Sequence, residues 1–435
     1  MTCRKWLLFA VLYFSAAPVA AEPLRAGVAC VDLTPPLAMK PALGGYSARL
    51  SRPATGVHDR VWAKAIYFTD GSAKYALVTA DALGFPSTLK PALMAKLKDL
   101  KVEVDDVLLL PSHTHTSLGI MDLNPTNVFG VPQIGVFNGL VLEHTLERLA
   151  EVIQRARQEP VSVLVGTATL TLPGWSRNRR GASVTDPVLT VTRIDRLDGK
   201  PLAVVVNWSA HPTFLGAKDM IFSGDWPGYL QRTLEGLIGE SVTVLYYNGA
   251  QGDQSPTPRI AEAATGFEQA EAYGRDLALQ AWKTWRGLKP QSEAGLAFHL
   301  HEFELPKRVR HPEFMKNDNA ISSVLGAGLD GMLERIMPEK THSHCFRLGD
   351  LVIVGIPGEL TAELGMEVKL KVATATGARV VVIGGLADEW IGYILSEKEY
   401  NRGGYEATVS YYGRQLGPIV VENAVKAATA IEVKK

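Results

Sequence analysis

The sequence has 435 residues, carries 45 Lys plus Arg against 45 Asp plus Glu, and is 46% hydrophobic. That balance excludes a broad electrostatic attraction to nucleic acid, and three cysteines exclude a disulfide scaffold. No repeat, low-complexity stretch or linker rich in Pro, Gly or Ser divides the chain, which implies one large domain over residues 22–435.

The chain opens with Arg4 and Lys5, an apolar run from Trp6 to Phe14, and the small residues Val19-Ala20-Ala21. This three-part pattern predicts a secretory signal peptide over residues 1–21, with the remainder periplasmic or secreted. Its apolar core is too short to cross a bilayer. Cys30 and Cys345 then remain. An oxidising compartment would permit one bond between them, and their apolar, strand-like surroundings favour free thiols.

Strand and helix signals alternate along the body. Strands are predicted at Leu24 to Leu33, at Ala65 to Phe68 and at Tyr75 to Thr79, the last two flanking an Asp70-Gly71 turn. Helices follow at Thr88 to Leu100 and at Leu140 to Arg157, where Leu142, Leu146, Leu149 and Ile153 form a stripe. Further strands are read at Val161 to Leu172, Val188 to Ile194, Leu202 to Trp208 and Val242 to Tyr247, with a short helix at Tyr229 to Ile238. A long helix is expected at Ala261 to Gly287, then strands at Leu296 to Leu305 and Cys345 to Ile356. Leu360 to Ala373 reads as helix, Val380 to Ile383 as strand and Gly417 to Ile431 as helix. Hairpins mixed with crossovers predict an α/β fold whose mixed β-sheet core is flanked by helices.

Several apolar strands end on residues that bind metals or move protons. Leu108-Leu109-Leu110-Pro111 leads to His113 and His115; two residues apart in extended chain, these point the same way. Val204-Val205-Val206 leads to His211, Val244-Leu245 to Asp253 and Ser255, Val352-Ile353-Val354 to Glu359, and Val380-Val381-Val382 to Asp388 and Tyr393. Ligands in open α/β sheets bind beyond strand ends, so a site is expected there. His113, His211 and Glu359 make a two-His, one-carboxylate set, a pattern that suits catalytic zinc and is open to iron or manganese. Glu359 also suits the first turn of a helix. Zinc in such a set supplies a nucleophilic hydroxide near pH 7.

Other residues compete for roles. Ser255 is a rival nucleophile, although its Gly252-Asp253-Gln254-Ser255-Pro256 setting reads as a turn. Arg177, Asn178, Arg179 and Arg180 form a basic loop suited to holding a substrate oxygen, or to solvent. Tyr393, Tyr400, Tyr405, Tyr411 and Tyr412 crowd the C-terminal part as core or rim, with one phenol available to a metal or oxyanion. Leu118 to Phe137 is apolar but broken by Asn124-Pro125, Gly130, Pro132 and Gly135; it reads as a loop that packs inward and walls an acyl pocket.

These motifs resemble the neutral, non-lysosomal ceramidase family. The resemblance rests on Gly56-Val57-His58-Asp59, Ser112-His113-Thr114-His115-Thr116, Asn178-Arg179, Asn207-Trp208-Ser209-Ala210-His211-Pro212-Thr213, Ser223-Gly224-Asp225, the run from Asn248 to Pro256, Pro357-Gly358-Glu359-Leu360-Thr361 and the segment from Tyr393 to Tyr405. It implies a zinc amidase that cuts the N-acyl bond of ceramide. It further implies His113, His211, Glu359 and Tyr393 as zinc ligands, and His115, Arg179 and Tyr405 as active-site groups. Its partner would be a lipid substrate, met with transient contact at a membrane surface. Alternatives are hydrolysis of another acyl amide or ester, or lipid or glycan binding without catalysis. Two departures bear on substrate. The family's Gly-Pro-Gly-Gly run is replaced by Ser117-Leu118-Gly119-Ile120-Met121, and the chain has no room for the family's usual C-terminal β-sandwich domain.

Overall fold

The computed structural model describes residues 23–431 apart from 240, 262, 292–293 and 315–327. The predicted signal peptide therefore lies outside the described residues. The first half runs β1 (Arg25–Asp32), β2 (Gly56–Val57), β3 (Trp62–Thr69), β4 (Lys74–Ala80), α1 (Leu89–Asp99), β5 (Asp106–Pro111), α2 (Gly139–Arg157), β6 (Val161–Thr171), β7 (Ser176–Asn178), β8 (Val188–Arg196) and β9 (Pro201–Trp208). Then come β10 (Ile221–Phe222), α3 (Asp225–Ile238), β11 (Thr243–Asn248), β12 (Gln254–Pro256), α4 (Gly266–Gly287), β13 (Leu296–Glu304), α5 (Gly328–Ile336), β14 (Lys340–Leu348) and β15 (Leu351–Ile356). The chain finishes with β16 (Glu359–Leu360), α6 (Ala362–Thr376), β17 (Val380–Gly385), β18 (Tyr393–Ile394), α7 (Glu397–Arg402), α8 (Tyr405–Thr408) and α9 (Leu416–Thr429).

Two mixed sheets form the centre. One has eight strands in the order β11-β9-β8-β6-β1-β3-β4-β5, the other four in the order β13-β14-β15-β17. Alternate residues of a strand face opposite sides, which shows how the layers stack. In β3, Ala63, Ala65 and Tyr67 join a core with α1 and α2 residues such as Leu93 and Leu149. Ile66 and Phe68 of the same strand join Phe346, Ile353 and Val382 of the smaller sheet. The outer side of that sheet, through Val352 and Val354, packs on Leu364, Val368, Val420 and Ala424 of α6 and α9. At the other end of the large sheet, Val204 and Val206 pack under Leu230 and Leu277 of α3 and α4. The order is helices, sheet, sheet, helices. A strand covered on both sides needs no polar alternation, and this explains the continuous Leu108-Leu109-Leu110 run.

The mixed α/β class expected from sequence is present, divided between two sheets. The stretch from Cys345 to Ile356, read as one strand, belongs to an antiparallel pair, β14 and β15, that turns at Gly349 with φ +58°. Helix α3 begins at Asp225 rather than Tyr229. Helix α4 begins after Thr265, because Thr265 and Glu268 close a reciprocal capping box there. Ser176–Asn178 pairs with β12 instead of forming loop. Cys30 and Cys345 are free thiols. No helix among the described residues is long and apolar enough to cross a membrane.

Candidate metal centre and active site

The ends of β5, β9 and β11 are tied together by one side chain. Asn248 Nδ2 donates to Ser112 O at 3.2 Å and to Ala210 O at 2.9 Å, while its Oδ1 accepts from Ala210 N at 3.2 Å. This knot sets His113 and His211 across from each other, with ring centroids 4.8 Å apart. His113 takes a left-handed backbone with φ +66°, an uncommon state for a residue with a side chain. Its N–H donates to Ala82 O at 2.9 Å, which holds that turn.

Glu359 and Tyr393 arrive together because β16 and β18 pair in parallel with those two residues in register. Glu359 Oε2 lies 3.3 Å from His113 Nε2 and 3.1 Å from His211 Nε2, and Oε1 accepts from Trp390 Nε1 at 2.9 Å. Tyr393 places its hydroxyl 3.5 Å from His211 Nε2. Arg179 Nη2 donates to that hydroxyl at 2.8 Å and to Gly252 O at 2.9 Å, and Nε donates to Glu406 at 2.7 Å. Tyr405 stands at the rim, 57% exposed, with its ring 5.9 Å from that of Tyr393.

Histidine tautomers follow from the backbone. His113 Nδ1 contacts Leu83 O at 2.5 Å and His211 Nδ1 contacts Gln251 O at 2.8 Å. Carbonyls only accept, so both Nδ1 atoms carry hydrogen. Burial pushes His211 down to about 4, which leaves it neutral near pH 7 with a bare Nε2. The Nε2 atoms of His113 and His211 and a carboxylate oxygen thus converge on one point. Acceptors so arranged repel one another unless a cation lies among them, so this donor set fits a divalent metal. The backbone carbonyls behind the rings are the outer partners that metal-binding histidines use.

His115 completes a group in which His113, His115 and His211 offer nitrogens within 4.8 Å of one another. Neither of its ring nitrogens has a partner among the described residues. Burial, followed by the neighbouring His113 and His211, pushes it well below the usual imidazole range. The seven residues implied by the resemblance, namely His113, His115, Arg179, His211, Glu359, Tyr393 and Tyr405, therefore meet here.

Three sequence readings need correction. Ser255 does not line the cavity; it pairs with Arg177 between β12 and β7. Asp253 stands behind the site, accepting from Ala362 N at 2.8 Å and Asn178 Nδ2 at 2.7 Å. Asp388 turns away into a separate group with His342 and His344, because Leu386 and Asp388 both take left-handed conformations and reverse the chain after β17. Trp390 and Gln251 were not anticipated. Only the spacing of Trp390, three residues before Tyr393, hinted at it.

The centre opens into a cavity of about 220 Å³, lined by His113, His115, Glu359 and Tyr393 at one part and by Phe314, Met332, Leu333 and Ile336 elsewhere. The predicted apolar loop divides its duties. Leu118 and Leu123 are core, Ile120, Met121 and Ile134 face the cavity, and Val128, Phe129 and Val136 are exposed.

Known proteins carry the same plan. A "Neutral ceramidase" of Pseudomonas aeruginosa is 24% identical, the match covering 94% of this chain and 72% of that protein. Another of Mycobacterium tuberculosis is 22% identical over 85% and 71%. The crystal structure of the Pseudomonas aeruginosa neutral ceramidase superposes with a TM-score of 0.78 at 19% identity, covering 94% of this chain and 74% of that one. A ceramidase complexed with C2 gives 0.75 at 18% identity over 94% and 75%. The family description "Neutral/alkaline non-lysosomal ceramidase, N-terminal" matches residues 24–257 and 316–421, a span that includes all seven site residues. The chain belongs to the neutral/alkaline non-lysosomal ceramidase family.

Proposed function

We propose that this protein is a zinc-dependent hydrolase that cleaves the N-acyl amide bond of ceramide or a related N-acyl lipid. The observation that carries this reading is the convergence of His113 Nε2, His211 Nε2 and Glu359 Oε2 beside an apolar cavity. In it His113, His211, Glu359 and Tyr393 hold the zinc, which supplies Lewis acidity and a nucleophilic water at neutral pH. Arg179 holds the Tyr393 hydroxyl in place and stays charged through Glu406. His115, whose ring nitrogens meet no partner among the described residues, takes a proton from the attacking water and passes it to the leaving amine. Tyr405 reaches from the rim to the oxyanion.

Purified protein incubated with N-acyl lipids should release fatty acid and free amine, separable by chromatography. Each acyl methylene buried in the cavity contributes about 0.8 kcal/mol, so kcat/KM should rise roughly tenfold or more from short to long chains. Release of no fatty acid from any member of the series would refute the hydrolase reading.

Export belongs to the same proposal, supported by the basic, apolar and small-residue segments of residues 1–21. The exported protein should have an intact mass that begins at Glu22. A mass that retains Met1 would refute cleavage.

A further inference from the structure

One carboxyl group in the cavity has no use in the chemistry above. Asp122 lies within the loop that departs from the family pattern, and it lines the cavity while only 8% exposed. Its Oδ1 accepts one long bond, from Val136 N at 3.4 Å, and the carboxyl also meets its own backbone N–H. Among the described residues no hydrogen bond or cation meets Oδ2. A buried carboxylate without a counter-charge is costly, and a cavity wall meant only for hydrocarbon has no need of one. Burial pushes this carboxyl up to about 6.

Glycines open the path from His115 to it. A Cβ on Gly45 would lie 2.3 Å from His115 Nδ1, one on Gly44 2.6 Å from Gly119 Cα, and one on Gly119 2.2 Å from Asp122 Oδ2. All three glycines line the cavity, so bare backbone separates the histidine from the carboxyl. A second acceptor lies in the same wall: the amide oxygen of Gln133 is buried and unpartnered among the described residues. Two idle acceptors call for a ligand that brings donors.

Resting on the reading of this cavity as an N-acyl amide site, we infer that Asp122 and Gln133 form a subsite for a hydrogen-bond donor, hydroxyl or ammonium, on the amine half of the substrate. The acyl half offers no such donor, and its carboxylate product would be repelled by Asp122. The subsite therefore sets which way the substrate lies, and Asp122 acts in specificity rather than in bond cleavage.

Three amides with one common acyl chain test this: those of a long-chain 2-amino-1,3-diol, of a diamine and of a plain alkylamine. Wild-type kcat/KM should favour the diol or the diamine over the alkylamine by roughly tenfold or more, the range of a charged hydrogen bond. An advantage confined to the diol identifies hydroxyl as the donor, and one confined to the diamine identifies ammonium. Asp122→Asn keeps an acceptor for Val136 N and should shrink the advantage, and Asp122→Leu should reduce it to about threefold or less. Urea analogues of the same amines resist hydrolysis, and their binding, followed by calorimetry, should show the same ranking without turnover. Equal rates for all three amides in the wild type would overturn the subsite and leave the hydrolase reading standing. Ranked binding of the ureas with no amide cleaved would do the reverse. A ranking unchanged in both folded variants also overturns it.

Discussion

Replacing His113 with Ala is expected to remove bound metal and amide hydrolysis together, with turnover falling by roughly a thousandfold, since a metal's charge stabilisation is worth several kcal/mol. His113 Nδ1 is anchored on Leu83 O, and its other nitrogen faces Glu359 Oε2 at 3.3 Å. A side chain fixed so rigidly toward Glu359 has little other purpose. The backbone there supports the same view: a φ of +66° at a β-carbon-bearing residue is kept at a cost, and function is where such costs persist. His115→Ala gives the contrast. It should retain metal and lose roughly a hundredfold in turnover, the range of a lost general acid. Elemental analysis and turnover measured on the same preparations check both. Full activity in His113→Ala, or in metal-stripped protein, would dismiss the metal reading. Metal lost from His115→Ala would make the third imidazole a ligand.

The second large effect lies away from the cavity. Lys90→Met is expected to destabilise the fold by about 3–5 kcal/mol, measured by denaturant unfolding. Lys90 Nζ is 2.9 Å from Asp388 Oδ2 and 3.0 Å from Asp106 Oδ1. Asp388 also accepts from His342 Nε2 at 2.9 Å, from His344 Nδ1 at 2.6 Å and, through Oδ1, from Leu109 N at 2.8 Å. Methionine keeps the packing of the lysine stem and deletes its charge, leaving the buried carboxylate to His342, His344 and the Leu109 N–H. Burial raises the Asp388 carboxyl, but Lys90 and His344 outweigh that and hold it well below the usual range. A carboxyl with a depressed folded value contributes stability fully above its unfolded value, about 3.9, and loses it as pH falls through the folded value. The difference between wild type and variant should therefore be largest near neutral pH and shrink in acid. A loss under about 1 kcal/mol at neutral pH would show that the pair is not the brace described. The same network pins the segment that carries Trp390 and Tyr393, so metal affinity should weaken alongside stability.

Much of this protein was legible in local pattern. Period-two alternation and unbroken apolar runs located most of the strands, because burial on one or both faces is written into neighbouring residues. The two histidines after Pro111, and His211, Glu359 and Tyr393 after other strands, marked the site, since extended chain ends with proline or glycine leave polar side chains at a cleft. What tertiary structure alone decided were pairings between residues far apart in sequence. The sheet divides in two because the inner faces of β3 and β15 bury each other, and no local window holds both strands. Asp388 follows a strand just as Glu359 does, yet two left-handed residues turn it toward Lys90 and out of the site. Trp390 and Asp122 carried no motif, and Gln251 lay in one without a role. Their meaning is the partner each has or lacks, and that is a property of the folded chain.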